Sequence, residues 1–182
     1  MKSFVFVAAA MASAAFAANA HAEGVYGKLA VGGTFDGKYD YPNTSAKTDG
    51  GWEAGAALGG NVTPNVRMEG EISQQRADFK SSTQKSQATL GLVNAYYDFA
   101  PNAQVTPFVG GGVGFGKIDN GPADDTGFAY KLSAGVASKF SDKVTGELAY
   151  GYTAAPNLKL AGADTDYHNN AVTAGVRIKF GQ

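Results

Sequence analysis

A chain of 182 residues with 15 Lys and Arg against 16 Asp and Glu has room for one domain or one small barrel, and its balanced charge gives no basic surface for nucleic acid. It contains no cysteine, which excludes disulfides, thiolate metal sites and cysteine nucleophiles. Its 25 glycines, with 11 Phe and 9 Tyr, suit barrel strands, where Gly gives room inside and aromatics sit at a membrane boundary.

The first segment reads as a secretory signal. Lys2 supplies the positive charge, residues 4–18 are apolar and alanine-rich, and Ala20-His21-Ala22 matches the small-x-small cleavage pattern. A transmembrane anchor would need about twenty apolar residues, and this run is shorter. The expected division is a signal peptide over residues 1–22 and a barrel domain over residues 23–182, exported without a helical anchor.

Eight strands and no helix follow. Strand one, residues 24–35, sets Val25, Leu29, Val31 and Phe35 against Tyr26, Lys28 and Thr34. Residues 36–50, rich in Asp, Asn, Thr and Gly, read as a loop. Strand two, residues 51–61, sets Trp52, Ala54, Ala56 and Leu58 against Glu53, Gly55 and Gly59, and Val62-Thr63-Pro64-Asn65 is a tight turn. Strand three, residues 66–79, sets Val66, Met68, Gly70 and Ile72 against Arg67, Glu69, Glu71 and Ser73. Its second half, Gln74-Gln75-Arg76, is polar on both faces and is expected to rise above the membrane. Strand four, residues 87–99, follows a loop over 80–86. Leu90, Leu92 and Val93 fall on both of its faces, so a bulge is expected to reset it.

Ala100-Pro101-Asn102-Ala103 is the second tight turn. Strand five, residues 104–118, carries Gly110-Gly111-Gly112. A phosphate-binding loop does not fit, because no helix and no Gly-Lys-Ser/Thr follows. The carboxylates of the loop over 119–126 lack the spacing of a twelve-residue calcium loop. Strand six, residues 127–140, sets Phe128, Tyr130, Leu132, Ala134, Val136 and Phe140 against Lys131, Ser133, Gly135 and Lys139. Ser141-Asp142-Lys143 is the third turn. Strand seven, residues 144–154, sets Val144, Leu148, Tyr150 and Tyr152 against Thr145, Glu147, Ala149 and Thr153. A loop over 156–168 leads to strand eight, where Val172, Ala174, Val176, Ile178 and Phe180 oppose Thr173, Gly175, Arg177 and Lys179.

An apolar face carried to the last residue, opposite a face with charges, places the apolar side in lipid and the charges in a lumen. Long and short connections alternate, as in an outer-membrane barrel with short periplasmic turns. The expected fold is all-β: an eight-stranded antiparallel up-and-down transmembrane β-barrel. Phe99, Phe140 and Phe180 would band the periplasmic interface, and Phe35, Trp52, Phe79, Phe128 and Tyr152 the external one. Lys28, Arg67, Lys131 and Arg177 would meet Glu53, Glu69, Glu71 and Glu147 in a roughly balanced lumen network. No cofactor or metal site is expected.

The mature chain resembles the small outer-membrane β-barrel family of Gram-negative bacteria, the group of opacity-type surface antigens and of barrels similar to outer-membrane proteins A and X. The resemblance rests on Thr106-Pro107-Phe108-Val109-Gly110-Gly111-Gly112-Val113-Gly114-Phe115 and on the ending at Phe180. It implies an outer-membrane location and lipid contact. It also implies that Thr173, Gly175, Ile178 and Phe180 form a signal for the barrel-assembly machinery, although Gly181 and Gln182 follow where the family usually stops on its aromatic. No peptidoglycan-binding domain follows, so cell-wall anchoring is not expected.

The leading functional expectation is a non-enzymatic, monomeric barrel with a structural or surface-interaction role, meeting any extracellular ligand through loops 36–50, 80–86, 119–126 and 156–168. A small porin-like channel is the first alternative: Gly55, Ala57, Gly59, Gly110, Gly112 and Gly135 leave interior space, and an unpaired lumen would conduct where a paired one closes. A surface adhesin or immune-evasion protein is the second. Lipid A deacylation, known in some eight-stranded barrels, needs a nucleophile, a base and an acid, and His168 in Tyr167-His168-Asn169-Asn170 has no serine close in sequence. A soluble lipocalin-like barrel would need an apolar cavity, against the inward charges.

Overall fold

Strict period-two alternation fits extended chain, and unlike faces need a sheet with two different surroundings. The computed structural model describes residues 24–41, 44–79, 85–119, 124–160 and 163–180, so the proposed signal segment lies outside the described residues. It contains eight strands: β1 (Tyr26–Tyr41), β2 (Thr44–Asn61), β3 (Val66–Phe79), β4 (Lys85–Asp98), β5 (Val105–Asp119), β6 (Asp124–Lys139), β7 (Val144–Leu160) and β8 (Ala163–Lys179). Each pairs antiparallel with its sequence neighbours, and β1 pairs with β8 to close the barrel.

Closure is staggered. A row of partners runs from Thr34 through Ala171, Gly151, Ser133, Gly110, Tyr96 and Arg67 to Asn61, which lies two residues beyond Gly59, the partner of Tyr26. One circuit therefore shifts the register by about ten residues, a strand tilt of about 40°.

The surfaces are inverted relative to a water-soluble protein. Leu29 is 68% exposed and Leu132 56%, whereas Arg67 and Glu69 are fully enclosed. Apolar side chains turned outward around the whole ring call for an apolar medium outside. The three turns at one end are short. Thr63 Oγ1 accepts from the Val66 amide at 3.0 Å, Ser141 Oγ accepts from the Val144 amide at 3.1 Å, and the Asn65 amide donates to the Asp98 carbonyl at 2.8 Å.

Two expectations need correction. The first and last of the four polar stretches are largely strand: in 36–50 β1 runs to Tyr41 and β2 starts at Thr44, and in 156–168 β7 reaches Leu160 and β8 starts at Ala163, whereas of 80–86 only Lys85 and Ser86, and of 119–126 only Asp119 and 124–126, are described, as strand. A tilted strand needs about 9–11 residues to cross a membrane. These strands have 14 to 18, so their polar ends continue past it as paired extensions. For the first and the last connection the long polar stretch is thus a long strand overhang. The second correction concerns β4, whose register runs unbroken from Tyr97 to Lys85 against β3. Its Leu90 and Leu92 point inward without a bulge, because the lumen has an apolar layer there. Register shifts fall instead at Phe35/Lys38, Thr48/Gly51 and Ala155/Leu158, with Asp36 and Asn157 at positive φ of 51° and 56°.

Candidate functional site

Three pieces of the molecule could carry function: the lumen, the two aromatic girdles and the external overhangs. In the lower lumen β3 presents Arg67, Glu69 and Glu71 on successive inward positions, since alternate residues share a face. Glu69 is the hub. Its Oε2 accepts from Lys28 Nζ at 2.5 Å, and its Oε1 accepts from the Tyr26 hydroxyl at 2.8 Å and from Arg67. Arg67 Nε donates to Asp98 Oδ1 at 3.2 Å, and its Nη2 lies 3.4 Å from Glu147 Oε1. Arg177 Nε reaches the same Glu147 oxygen at 2.8 Å, and Lys28 Nζ lies 3.7 Å from its other oxygen. The Arg67 guanidinium sits 4.0 Å from the Tyr96 ring centroid and 4.8 Å from that of Phe108, so one cation is shared by three carboxylates and two aromatic faces.

A second group lies further up. Lys131 Nζ is 2.8 Å from Glu53 and 3.0 Å from Glu71, while Asn94 donates to the other Glu71 oxygen at 2.9 Å. Gln75 extends the chain of bonds, donating to Glu53 at 2.9 Å and accepting from Tyr167 at 2.9 Å and Asn169 at 3.3 Å. Above this the lining turns apolar, with Tyr39, Ala88, Leu90, Leu92, Ile118, Ala129, Ala155, Leu158 and Tyr167 in one buried cluster.

The eight charges expected inside therefore fall into two groups, around Glu69/Glu147 and around Lys131. Sequence reasoning missed Asp98, Tyr26, Asn94, Gln75 and the apolar layer. Asp98 follows Tyr96 at inward spacing on β4, a signal obscured by the supposed reset of that strand. The interior glycines do not leave an open path. A Cβ on Gly110 would lie 2.2 Å from the Tyr96 ring, and one on Gly112 would lie 1.8 Å from Asn94 Oδ1, so the neighbours occupy that space. A cavity of about 40 Å³ remains beside Lys28, Glu53, Lys131 and Glu147, room for little more than ordered water. At the end bearing the short turns a vestibule of about 500 Å³ opens below Tyr26, Asp98 and Arg177.

On the outer surface Phe99, Phe140 and Phe180 are exposed at the end bearing the short turns. Phe180 and Phe140 lie over Gly27 and Gly146, filling the space those glycines leave, and Tyr97 packs edge-on against Phe99 at 5.2 Å. Phe35, Trp52, Phe128 and Tyr152 lie toward the opposite end, joined by Tyr130, Tyr150 and Phe115. The Phe79 side chain lies outside the described residues. On β8, Thr173 and Gly175 turn inward opposite Gly32 and Ala30, while Ile178 and Phe180 turn outward. His168 stands on the external overhang, stacked on Tyr152 at 6.3 Å, with Nδ1 3.9 Å from Asp40. Among the described residues no group of three or more His, Cys, Asp or Glu is arranged to hold a metal.

Comparison with known proteins gives a consistent architecture. The sequence model of a family described as outer membrane protein beta-barrel domain matches residues 4–180. A Rickettsia bellii protein provisionally named an adhesin is 29% identical over 154 residues, covering 69% of this chain and 68% of its own. Among solved structures, Neisserial surface protein A superposes with a TM-score of 0.65 at 21% identity, covering 87% of this chain and 100% of that one. Outer membrane protein OprG from Pseudomonas aeruginosa superposes at 0.57 with 12% identity, covering 89% and 98%. At such identities the structural matches establish the fold alone.

Proposed function

The chain belongs to the outer membrane protein β-barrel family, and from that premise we propose that it is a non-enzymatic barrel, closed to solutes, whose work lies in the membrane and at its external rim. The observation that supports this reading is the filled lumen: paired charges below, an apolar layer above, and a cavity of about 40 Å³ between. An eight-stranded barrel has an interior that side chains can fill, and this one has side chains at every level. The test is single-channel recording of refolded residues 23–182 in a planar bilayer. A silent, folded barrel is expected; reproducible stepwise currents would make the protein a small pore instead.

Surface adhesion is the second reading. It is favoured by the provisionally named adhesin relative and by the overhangs of β1, β2, β7 and β8, which offer a strand-paired rim. Binding of the folded protein to immobilised host matrix or serum proteins at micromolar concentration checks it, and absence of binding would remove it. Under either reading the protein is a monomer, and the assembly machinery engages β8 through Ile178 and Phe180. Phe180→Ala should then lower the yield of assembled barrel in cells. The His168→Ala variant should leave the cell's lipid A species unchanged.

A further inference from the structure

The external girdle is uneven. On β1, β2, β6 and β7 its outward positions are aromatic: Phe35, Trp52, Phe128, Tyr130, Tyr150 and Tyr152. Among the described side chains, β3 and β4 carry no aromatic at that level. There the partnered row Ile72, Gly91, Phe115 is followed by Gln74, Thr89, Lys117, and next by Arg76, Gln87 and Asp119, with Trp52 paired across from Arg76 and the Asp119 carboxylate closing the far end of the row. Ile72 is 43% exposed and faces lipid below Gln74, and Phe115 of the girdle is 46% exposed on β5, so the polar notch on β3 and β4 lies between girdle aromatics and above an apolar position.

The side chains of the notch have little to do within the protein. Arg76 has no carboxylate within 4 Å among the described residues, and its guanidinium is held 5.6 Å from the Trp52 ring centroid. Gln74, Gln87 and Thr89 make no side-chain hydrogen bond among the described residues. Lys117 is held by Asp124 at 2.8 Å, which positions it at the edge of the notch while tempering its charge. An arginine with one face on an indole keeps its in-plane N–H groups free, and that fork matches the oxygens of a phosphate. Amide and hydroxyl groups beside it match a sugar's hydroxyls.

We propose that the Trp52–Arg76–Gln87 and Gln74–Thr89–Lys117 rows form a binding site for the phosphorylated sugar headgroup of an outer-leaflet glycolipid. The lipid source, rather than a free phosphate, follows from continuity: the notch sits on the barrel's outside, directly above lipid-facing Ile72 and beside the girdle ring of Phe115, so a headgroup bound there keeps its chains against the apolar band.

Trp52 is the only tryptophan of the chain, and its emission reports on this site alone. The folded protein is reconstituted in phosphatidylcholine vesicles carrying diphosphoryl lipid A, the same lipid A dephosphorylated, or neither with inorganic phosphate added. Folding is checked by heat-modifiable gel mobility. A saturable change in Trp52 emission with diphosphoryl lipid A is expected, with about tenfold weaker response to the dephosphorylated lipid and none to inorganic phosphate. Arg76→Gln should abolish the preference between the two lipids. Arg76→Lys, which keeps the charge but loses the fork, should reduce it severalfold and carries the test if Arg76→Gln does not fold. Equal responses to both lipids, an unaltered preference in the folded variants, or the same response to inorganic phosphate would each overturn the proposal. So would a change that tracks protein density in vesicles without lipid A, which would make the notch a contact between copies.

Discussion

The lower and upper halves of the lumen are closed by different physics. Below, Glu69 and Glu147 gather Lys28, Arg67 and Arg177 in a network of charged groups. Above, Leu90, Leu92, Ile118 and Leu158 meet as an ordinary apolar core, lidded by the Tyr39 and Tyr167 rings at 5.1 Å. The difference is one of tolerance. An apolar core loses stability in proportion to the volume removed, whereas a buried charge network fails when one partner goes, because the others stay charged and unmatched.

Four comparisons probe that contrast, each read as a shift in urea unfolding in detergent micelles. Arg67→Met, which leaves Glu69, Asp98 and Glu147 short of a cation, should cost about 3–5 kcal/mol. Leu90→Ala in the upper layer should cost about 2–5 kcal/mol, with the smaller values expected if β4 can settle into the gap. The third is a combination. Lys131→Met alone should be strongly destabilising, but together with Glu53→Gln and Glu71→Gln it should return to within about 1 kcal/mol of the parent, since the set then carries no unmatched charge. If the combination stays as unstable as the single change, the network acts by packing and the contrast between the halves dissolves. Lys38→Gln, which removes a 2.6 Å pair with Asp40 on the exposed overhang, should change stability by no more than about 0.5 kcal/mol.

The strand order, the barrel and the inward face of β3 were legible because Arg67, Glu69 and Glu71 alternate with apolar residues, and no other period fits them. The upper layer was not. Leu90 and Leu92 looked like a break in the pattern, because an apolar residue on the inner face can be understood only once the stagger brings Ile118 and Leu158 across from it. The overhangs were hidden for a related reason. Strands that leave the membrane have water outside, so polar residues on both faces of 36–50 carry the same composition as a loop. The pairs of the lumen network were beyond sequence altogether, since Lys131 meets Glu53 and Glu71 only through the tilt of the barrel.

The seam between β1 and β8 has a consequence for the order of assembly. The Phe180 amide donates to the Val25 carbonyl at 2.7 Å, so the last residues of β8 bond to the first residues before β1. Every other strand pair joins neighbours in sequence and can zip as a hairpin, but this one must bring together the two ends of the domain, paying the largest loop-closure entropy in the fold. Until that happens β1 presents an unpaired edge to any passing chain. The vulnerable species in biogenesis is therefore the nearly complete sheet, with seven strand pairs formed and an edge still open at either end.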